Sequence, residues 1–423
     1  MALLIALLLA LPLAALQAES PCAWGGDIGR GNGAKLVDSV RGELRALVKL
    51  APEARAKKAA DLARTRAVAA IEAWKRYREP ELLPLARACL DHADWHVVHR
   101  ALFWLERLHD AGSLPAALAR LDHAEPRLRE RAALAALALF GDLAATAPDE
   151  AAARRAPFAR SVAERLERER DPHVRSALRA LQQRLVGDHA PRRLGGELQV
   201  RAKGGLLLAP LLTGLEQRES LGATIVQAGV APFAERDEGR AELPIATLCV
   251  APLLDYGREE VPRLVLQPFG QGRRGGAVVH TGQDVGGCFD GAGLYAIADG
   301  VVRSISGGGD AGVRLVVEHR FEKGEQVDAV YMHAAPELHV AVGEVVTTAQ
   351  LLGTVGLSWS DENGGQFAHL HFGLYPGPYR DDHNYGYRAA GDGDLSDWLD
   401  PQEWLAARGV PVVVVPKGAD GGR

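Results

Sequence analysis

The sequence predicts a multidomain α + β protein, with an N-terminal α-helical repeat followed by a mainly antiparallel β domain. Three observations predict it. The chain has 423 residues, beyond the length at which a single hydrophobic core keeps growing. From about residue 40 to 190, Ala, Leu, Arg and Glu dominate and apolar residues recur at helical spacing. From about 263 to 408, short strand-like runs alternate with Gly-rich turns.

Composition narrows the function classes. At 47% hydrophobic and 24% charged, the chain has the balance of a globular protein rather than a disordered one. A net charge of -5, with no basic stripe interleaved with aromatics, argues against nucleic acid as a partner.

Residues 1–18 read as a secretory signal peptide, an apolar run from Ala2 to Leu16 followed by small and polar residues. The run is short for a membrane span, and no later segment is long and apolar enough. The expectation is an exported chain of the periplasm or cell envelope, with no membrane span after cleavage. Export permits disulfides among Cys22, Cys89, Cys249 and Cys288, with Cys249–Cys288 one of three full pairings. Residues 19–39 are Gly-rich and read as a linker. Their GRGNGAK stretch lacks the Gly before Lys35 and the Ser or Thr after it that a phosphate loop needs.

Within 40–190, three stretches resemble one another, beginning at Asp94, Glu125 and Asp171. Each opens on an acidic residue, followed by Pro in the last two. An acid as cap and Pro in the first turn is a helix start. The pattern resembles a short array of HEAT-like helical pairs. Such arrays present extended surfaces, which suit a protein partner, and a scaffold or a cover for the C-terminal domain is the alternative reading. His92, His96 and His99 read as packing or surface residues, because His92 lies off the face of a helix that starts at Asp94. Residues 191–262 read as a connecting β-rich region of no assignable fold, and 409–423 as a C-terminal tail.

The chemistry concentrates in the β domain. In AHLHFGLY, 368–375, Leu370, Phe372 and Leu374 alternate with His369, His371 and Gly373. On a strand, residues two apart share a face, so both imidazoles leave one side while the other packs on the core. In VVHTGQDVGG, 278–287, His280 and Asp284 are four apart and would share a face on an extended chain, with Gly282 leaving room for an ion. His280, Asp284 and one His of the pair make an N, O and N donor set. Three such ligands and an open position for water are what a catalytic zinc uses. Water there has its pKa lowered to about 7, and the metal polarises the scissile carbonyl. Proton transfer and oxyanion stabilisation are still required. The second His of the pair is available, as is His333 in DAVYMHA, where Tyr331 and His333 are expected to share a strand face.

Taken together, HTGQD at 280–284, YMH at 331–333 and HLH at 369–371 resemble the lysostaphin/LytM zinc endopeptidases. LYAIADGVVRSI at 294–305, VGEVVTTAQLLGTVG at 342–356 and WLDPQEWL at 398–405 add to the likeness, which covers about a third of the chain. The resemblance implies an antiparallel β metallopeptidase domain at 263–408, one zinc per chain, and peptidoglycan peptide as substrate in an open groove. It implies His280, Asp284 and His371 as ligands, with His369 and His333 as the catalytic pair of general base and oxyanion stabiliser, in an order that stays open. The bond cut stays open too. Gln283 stands where the family has an aliphatic residue, and its side chain should point away from the metal. The loop 357–367 before HLH is longer and more acidic than is usual. The competing reading is a catalytically silent relative that binds cell wall and regulates another hydrolase. Loss of ligands marks such relatives, and all five residues are kept here.

Overall fold

The computed structural model describes residue 87 and residues 90–91, 95–187, 192–193, 199–202, 205–208, 227–229, 233–237, 241–254, 256, 265–273, 276–286, 291–307, 311–356, 368–380, 386–389 and 395–412. The signal peptide, the Gly-rich linker, Cys22, Cys89, Cys288, the 357–367 loop and His383 lie outside them. Among the described residues, no helix is long and apolar enough to cross a membrane.

Helices come first, and a mainly antiparallel sheet follows. The helices are α1 (Trp95–Arg107), α2 (Leu114–Ala119), α3 (Pro126–Thr146), α4 (Pro148–Arg168) and α5 (Pro172–Val186). Two of the expected starts hold in atomic detail. The Glu125 side chain accepts from the Arg127 amide at 3.3 Å, with Pro126 in the first turn. Asp171 Oδ1 accepts from the amides of His173 and Val174 at 3.0 and 3.1 Å. Each acid satisfies amides that have no partner inside the helix. Helix α3 buries an almost continuous run of small and apolar residues, from Ala132 to Leu137. A helix apolar on all sides is one enclosed by neighbours, here α1, α2 and α4.

Contacts divide the chain into two compact units, with α1–α4 and residues 178–186 in one and the sheet in the other. The second unit uses β1 (Phe233–Arg236), β2 (Ile245–Ala246), β3 (Val265–Gln267), β4 (Val278–His280), β5 (Gln283–Gly286), β6 (Gly300–Gly307), β7 (Val313–Phe321), β8 (Gln326–Ala334), β9 (Val345–Val346), β10 (His369–Pro376) and β11 (Tyr387–Ala389). The principal sheet runs β9-β6-β7-β8-β10-β5-β3, with β1 added on β6 and β2 on β7. All its pairings are antiparallel except β2 on β7. Thus the sheet also takes strands from 233–246, before the stretch that resembles the endopeptidases.

The alternation read in 368–375 decides which side of the sheet becomes core. Leu370, Phe372 and Leu374 are fully buried on one face, opposite Tyr331 and Ala329 of β8. Each such apolar side chain contributes about 1.5–3 kcal/mol. The chain closes on a short helix, α6 (Pro401–Ala406), where Asp400 Oδ1 accepts from the amides of Gln402 and Glu403. Trp404 of that helix packs edge-on against Phe321 at 5.4 Å. Cys249 is a half-buried thiol, and its pairing with Cys288 lies outside the described residues. Burial pushes its pKa up to about 12.

His319 lies in β7 with no exposed surface, and its Nδ1 hydrogen donates to the Asp299 carbonyl at 3.0 Å. Burial pushes the ring's pKa down to about 4, only partly opposed by that carbonyl. In the unfolded chain the same ring titrates near ~6.5. The folded state therefore resists a proton that the unfolded state accepts. Stability is complete above about pH 6.5 and falls as pH drops toward about 4, by about 3 kcal/mol. Urea unfolding midpoints at about pH 7 and about pH 4.5 should show the loss, and His319→Gln should flatten it.

Candidate metal centre

Strand β10 is clamped between β5 and β8, and its register sets the site. Asp284 lies opposite His371 on one side, and Met332 lies opposite His371 on the other. Because cross-strand partners share a face, Asp284, His371 and Met332 leave the same side of the sheet. Two residues along β10, His369 does the same.

His280 reaches this face from another sheet. It ends β4, which pairs with β11 and with Gly272–Arg273, and the chain crosses at Thr281–Gly282 into β5. The single extended strand expected for 278–287 is thus two strands in two sheets. Convergence of His280 with Asp284 comes from the step between them rather than from period-two spacing. Gly282 is the residue that permits the step. A Cβ there would lie 2.6 Å from His371 Nε2 and 2.7 Å from the Phe372 carbonyl oxygen. The space at Gly282 therefore admits the His371 ring, not an ion as the spacing suggested.

Three donor atoms meet in a small triangle. His280 Nε2 is 2.9 Å from His371 Nδ1, His371 Nδ1 is 3.0 Å from Asp284 Oδ1, and His280 Nε2 is 3.1 Å from Asp284 Oδ1. All three residues are buried, and among the described residues this is a group that could hold a metal ion. Its proton bookkeeping favours a cation. A carboxylate donates nothing, and a neutral imidazole has one N–H. No placement of two protons makes all three edges hydrogen bonds. His280 Nδ1 also lies 3.2 Å from the Pro268 carbonyl. Donation there leaves the lone pair of Nε2 facing the carboxylate, which a cation between them would resolve. Tetrahedral zinc at about 2.0–2.1 Å spaces its ligands by about 3.3 Å, so the triangle fits with an opening of a few tenths of an ångström.

Electrostatics match that donor set. Burial opposes charge on Asp284, but the His280 and His371 imidazoles beside it outweigh that and hold the carboxyl well below its usual range. Burial pushes His371 down, with Asp284 pulling partly the other way. An ionised carboxylate beside a neutral imidazole is the form that binds metal.

The remaining two histidines stand beside the triangle. Their rings are 4.3 Å apart, and His369 Nε2 is 4.0 Å from Asp284 Oδ2. The route taken by His333 differs from the sequence reading. Tyr331 lies opposite Phe372 and is buried on the core face. Simple alternation would send His333 there as well. Instead His333 has φ of +66°, and the β7–β8 register shifts near this point. The irregular strand brings His333 to the ring of His369, so Tyr331 and His333 occupy opposite faces. A β-branched or bulky residue rarely takes this conformation, and such backbone concentrates at functional sites.

Two contacts escaped the sequence. Tyr387 of β11 lies 5.1 Å from the His280 ring, and its hydroxyl donates to Gln267 Oε1 at 2.8 Å. It comes from a strand pairing, Tyr387 with His280, that no local pattern announces. The second is Tyr256, whose hydroxyl donates to Gln283 Oε1. Gln283 does point away from the triangle, into the core face.

Residues 278–383 match the model of peptidase family M23. This segment is an M23 peptidase domain. Members of M23 are zinc metallopeptidases, and the His280–Asp284–His371 triangle lies within the matched residues. Among solved structures, a zinc-containing peptidase from Vibrio cholerae is similar at 24% identity, over 31% of this chain and 36% of its own, with a TM-score of 0.23. The chain thus spans little more than a third of that protein's length. The complex of SpoIIIAH and SpoIIQ is similar at 18% identity, over 38% of this chain and 99% of that one, with a TM-score of 0.24. No curated protein matches.

For the M23 domain, Gly282→Ala should displace the His371 ring, because the Phe372 carbonyl on the other side cannot yield. Zinc affinity, measured by competition with a chromophoric chelator, should fall at least tenfold, roughly the lower end of what disturbed ligand orientation costs.

Proposed function

We propose that the chain is an exported zinc endopeptidase that hydrolyses peptide cross-links of peptidoglycan. His280, Asp284 and His371 would hold the metal, and His333 and His369 would be the catalytic pair. One observation carries this reading. Five side chains from four strands meet on one face, as an N, O, N triangle with an imidazole pair beside it.

Zinc held in the triangle would supply Lewis acidity, polarising the scissile carbonyl and lowering the pKa of water to about 7. The protein's part follows from its charges. One carboxylate and two neutral imidazoles leave a divalent ion with net positive charge, suited to a developing oxyanion. His369 Nε2 lies 4.0 Å from Asp284 Oδ2, which sets its ring beside the triangle. His333 and His369, ring against ring, are placed to take a proton from attacking water and return one to the leaving amine. Completeness of this set favours hydrolysis over a silent, wall-binding role.

Export rests on residues 1–18 acting as a signal peptide, which puts the enzyme in the periplasm or cell envelope. The helical part would add a binding surface for a protein partner or for the wall.

The chain from residue 19 should release peptides from purified peptidoglycan. Chelator should abolish release, zinc should restore it, and His371→Ala should lack both bound zinc and activity. His333→Ala and His369→Ala should each keep zinc while kcat falls by about 10²–10⁴-fold. A wild-type chain with neither zinc nor hydrolysis would leave a binding module instead.

A further inference from the structure

Strand β5 sends Asp284 toward the triangle and the preceding residue, Gln283, the opposite way. Gln283 is 1% exposed and lies opposite Phe372, the neighbour of His371. Its Oε1 accepts the hydrogen bond from the hydroxyl of Tyr256, itself 2% exposed. Tyr256 follows a stretch, 250–254, that is bonded to the β domain, with Ala251 and Leu253 buried. There the Val250 amide donates to the Ile297 carbonyl at 2.8 Å, and the Tyr295 amide to the Pro252 carbonyl at 3.0 Å. The Tyr256 ring meets Phe372 edge-on at 6.2 Å, and Phe372 meets Tyr331 at 5.3 Å. The Tyr331 hydroxyl in turn accepts from the Ile297 amide at 3.1 Å. An amide and three aromatic rings therefore back the strands that carry Asp284 and His371.

This backing answers a weakness in the sheet. Strand β5 has four residues, and its pairing with β3 shifts register between Asp284 and Val285. A bulge on one side bends the strand and re-aims its side chains, so the regular pairing of β5 lies on its β10 side alone. An aliphatic residue at 283, usual in the endopeptidases this stretch resembles, would pack on the core and need no partner. A buried amide is different, because it tolerates only the position where its partner meets it. The hydroxyl of Tyr256 thus sets where Gln283 sits, and with it Asp284.

We propose that Tyr256 is a positioning residue for the metal centre, its hydroxyl fixing β5 through Gln283 so that Asp284 meets His280 and His371. The proposal rests on the metal-binding reading above and deepens it. It extends the functional unit to a residue outside the M23 match.

The test is zinc affinity by chelator competition on the full chain, with unfolding of the metal-free protein measured in parallel. Wild type should bind zinc. Tyr256→Phe, which keeps the ring and removes only the hydroxyl, should weaken binding about tenfold. It should also lower kcat with KM unchanged. Tyr256→Phe combined with Gln283→Leu should restore affinity to within about twofold of wild type, because removing both partners leaves no buried polar group unpaired. A single variant that melts earlier without zinc, yet binds zinc as tightly as wild type, would make the pair structural and overturn the proposal. So would a double variant as weak as the single one. A wild-type chain that binds no zinc would overturn the metal-binding reading and this proposal together.

Discussion

A one-residue slip of β10 between β5 and β8 would turn His369 and His371 into the core and drive Leu370 and Phe372 out to the opposite face. The register pairing Asp284 with His371 is the constraint from which the rest of the site follows. It is held by burial, because Leu370, Phe372 and Leu374 have no exposed surface in the register observed. At about 1.5–3 kcal/mol for each such side chain, a slipped sheet would forfeit a large share of the roughly 5–15 kcal/mol that keeps a domain folded. The hydrophobic face thus places the polar one, and the site needs no separate device to choose which residues point outward.

What the sheet does not do is bring His280 within reach. That depends on leaving one sheet and entering another at Thr281–Gly282, past an imidazole that tolerates no side chain at 282. The step produces a buried cluster of one carboxylate and two imidazoles whose three contacts cannot all be hydrogen bonds. Such a cluster would be a liability in an ordinary core, where buried polar groups are satisfied. A cation would resolve it, so the same crowding that lacks a hydrogen-bonding solution suits a metal ion.

Legibility in the sequence followed the range of the interactions. The helical starts at Glu125 and Asp171 and the two-faced strand at 369–376 were readable, because a cap and an alternation are local and both have a fixed period or position. The class of fold, helices followed by a mainly antiparallel sheet, followed from the same local signals. The individual site residues came from motifs whose spacing was right for a different local reason. His280 and Asp284 were read as one strand and stand on two. Nothing local announced Tyr256 behind Gln283 or Tyr387 beside His280, since both contacts are made by chain segments far apart in sequence. Gln283 itself was visible as a departure, but a buried glutamine names no partner until the fold supplies one.

His333 marks the point in its strand where alternation stops being a guide. Counting by twos from Tyr331 sends it into the core, and the protein instead holds its backbone at φ +66°. A left-handed residue of this kind costs of order 1–3 kcal/mol. Neighbouring bonds hold it there. The Gly356 amide donates to the His333 carbonyl at 2.8 Å, and the Ala335 amide to the Thr354 carbonyl at 2.8 Å. The strand that buries Tyr331 on one side can therefore present His333 on the other only two residues later. A regular strand would have had to give up either the aromatic packing of Tyr331 on Phe372 or the imidazole beside His369. The irregular strand keeps both, with its strain borne by a sheet whose other face is dry and closely packed.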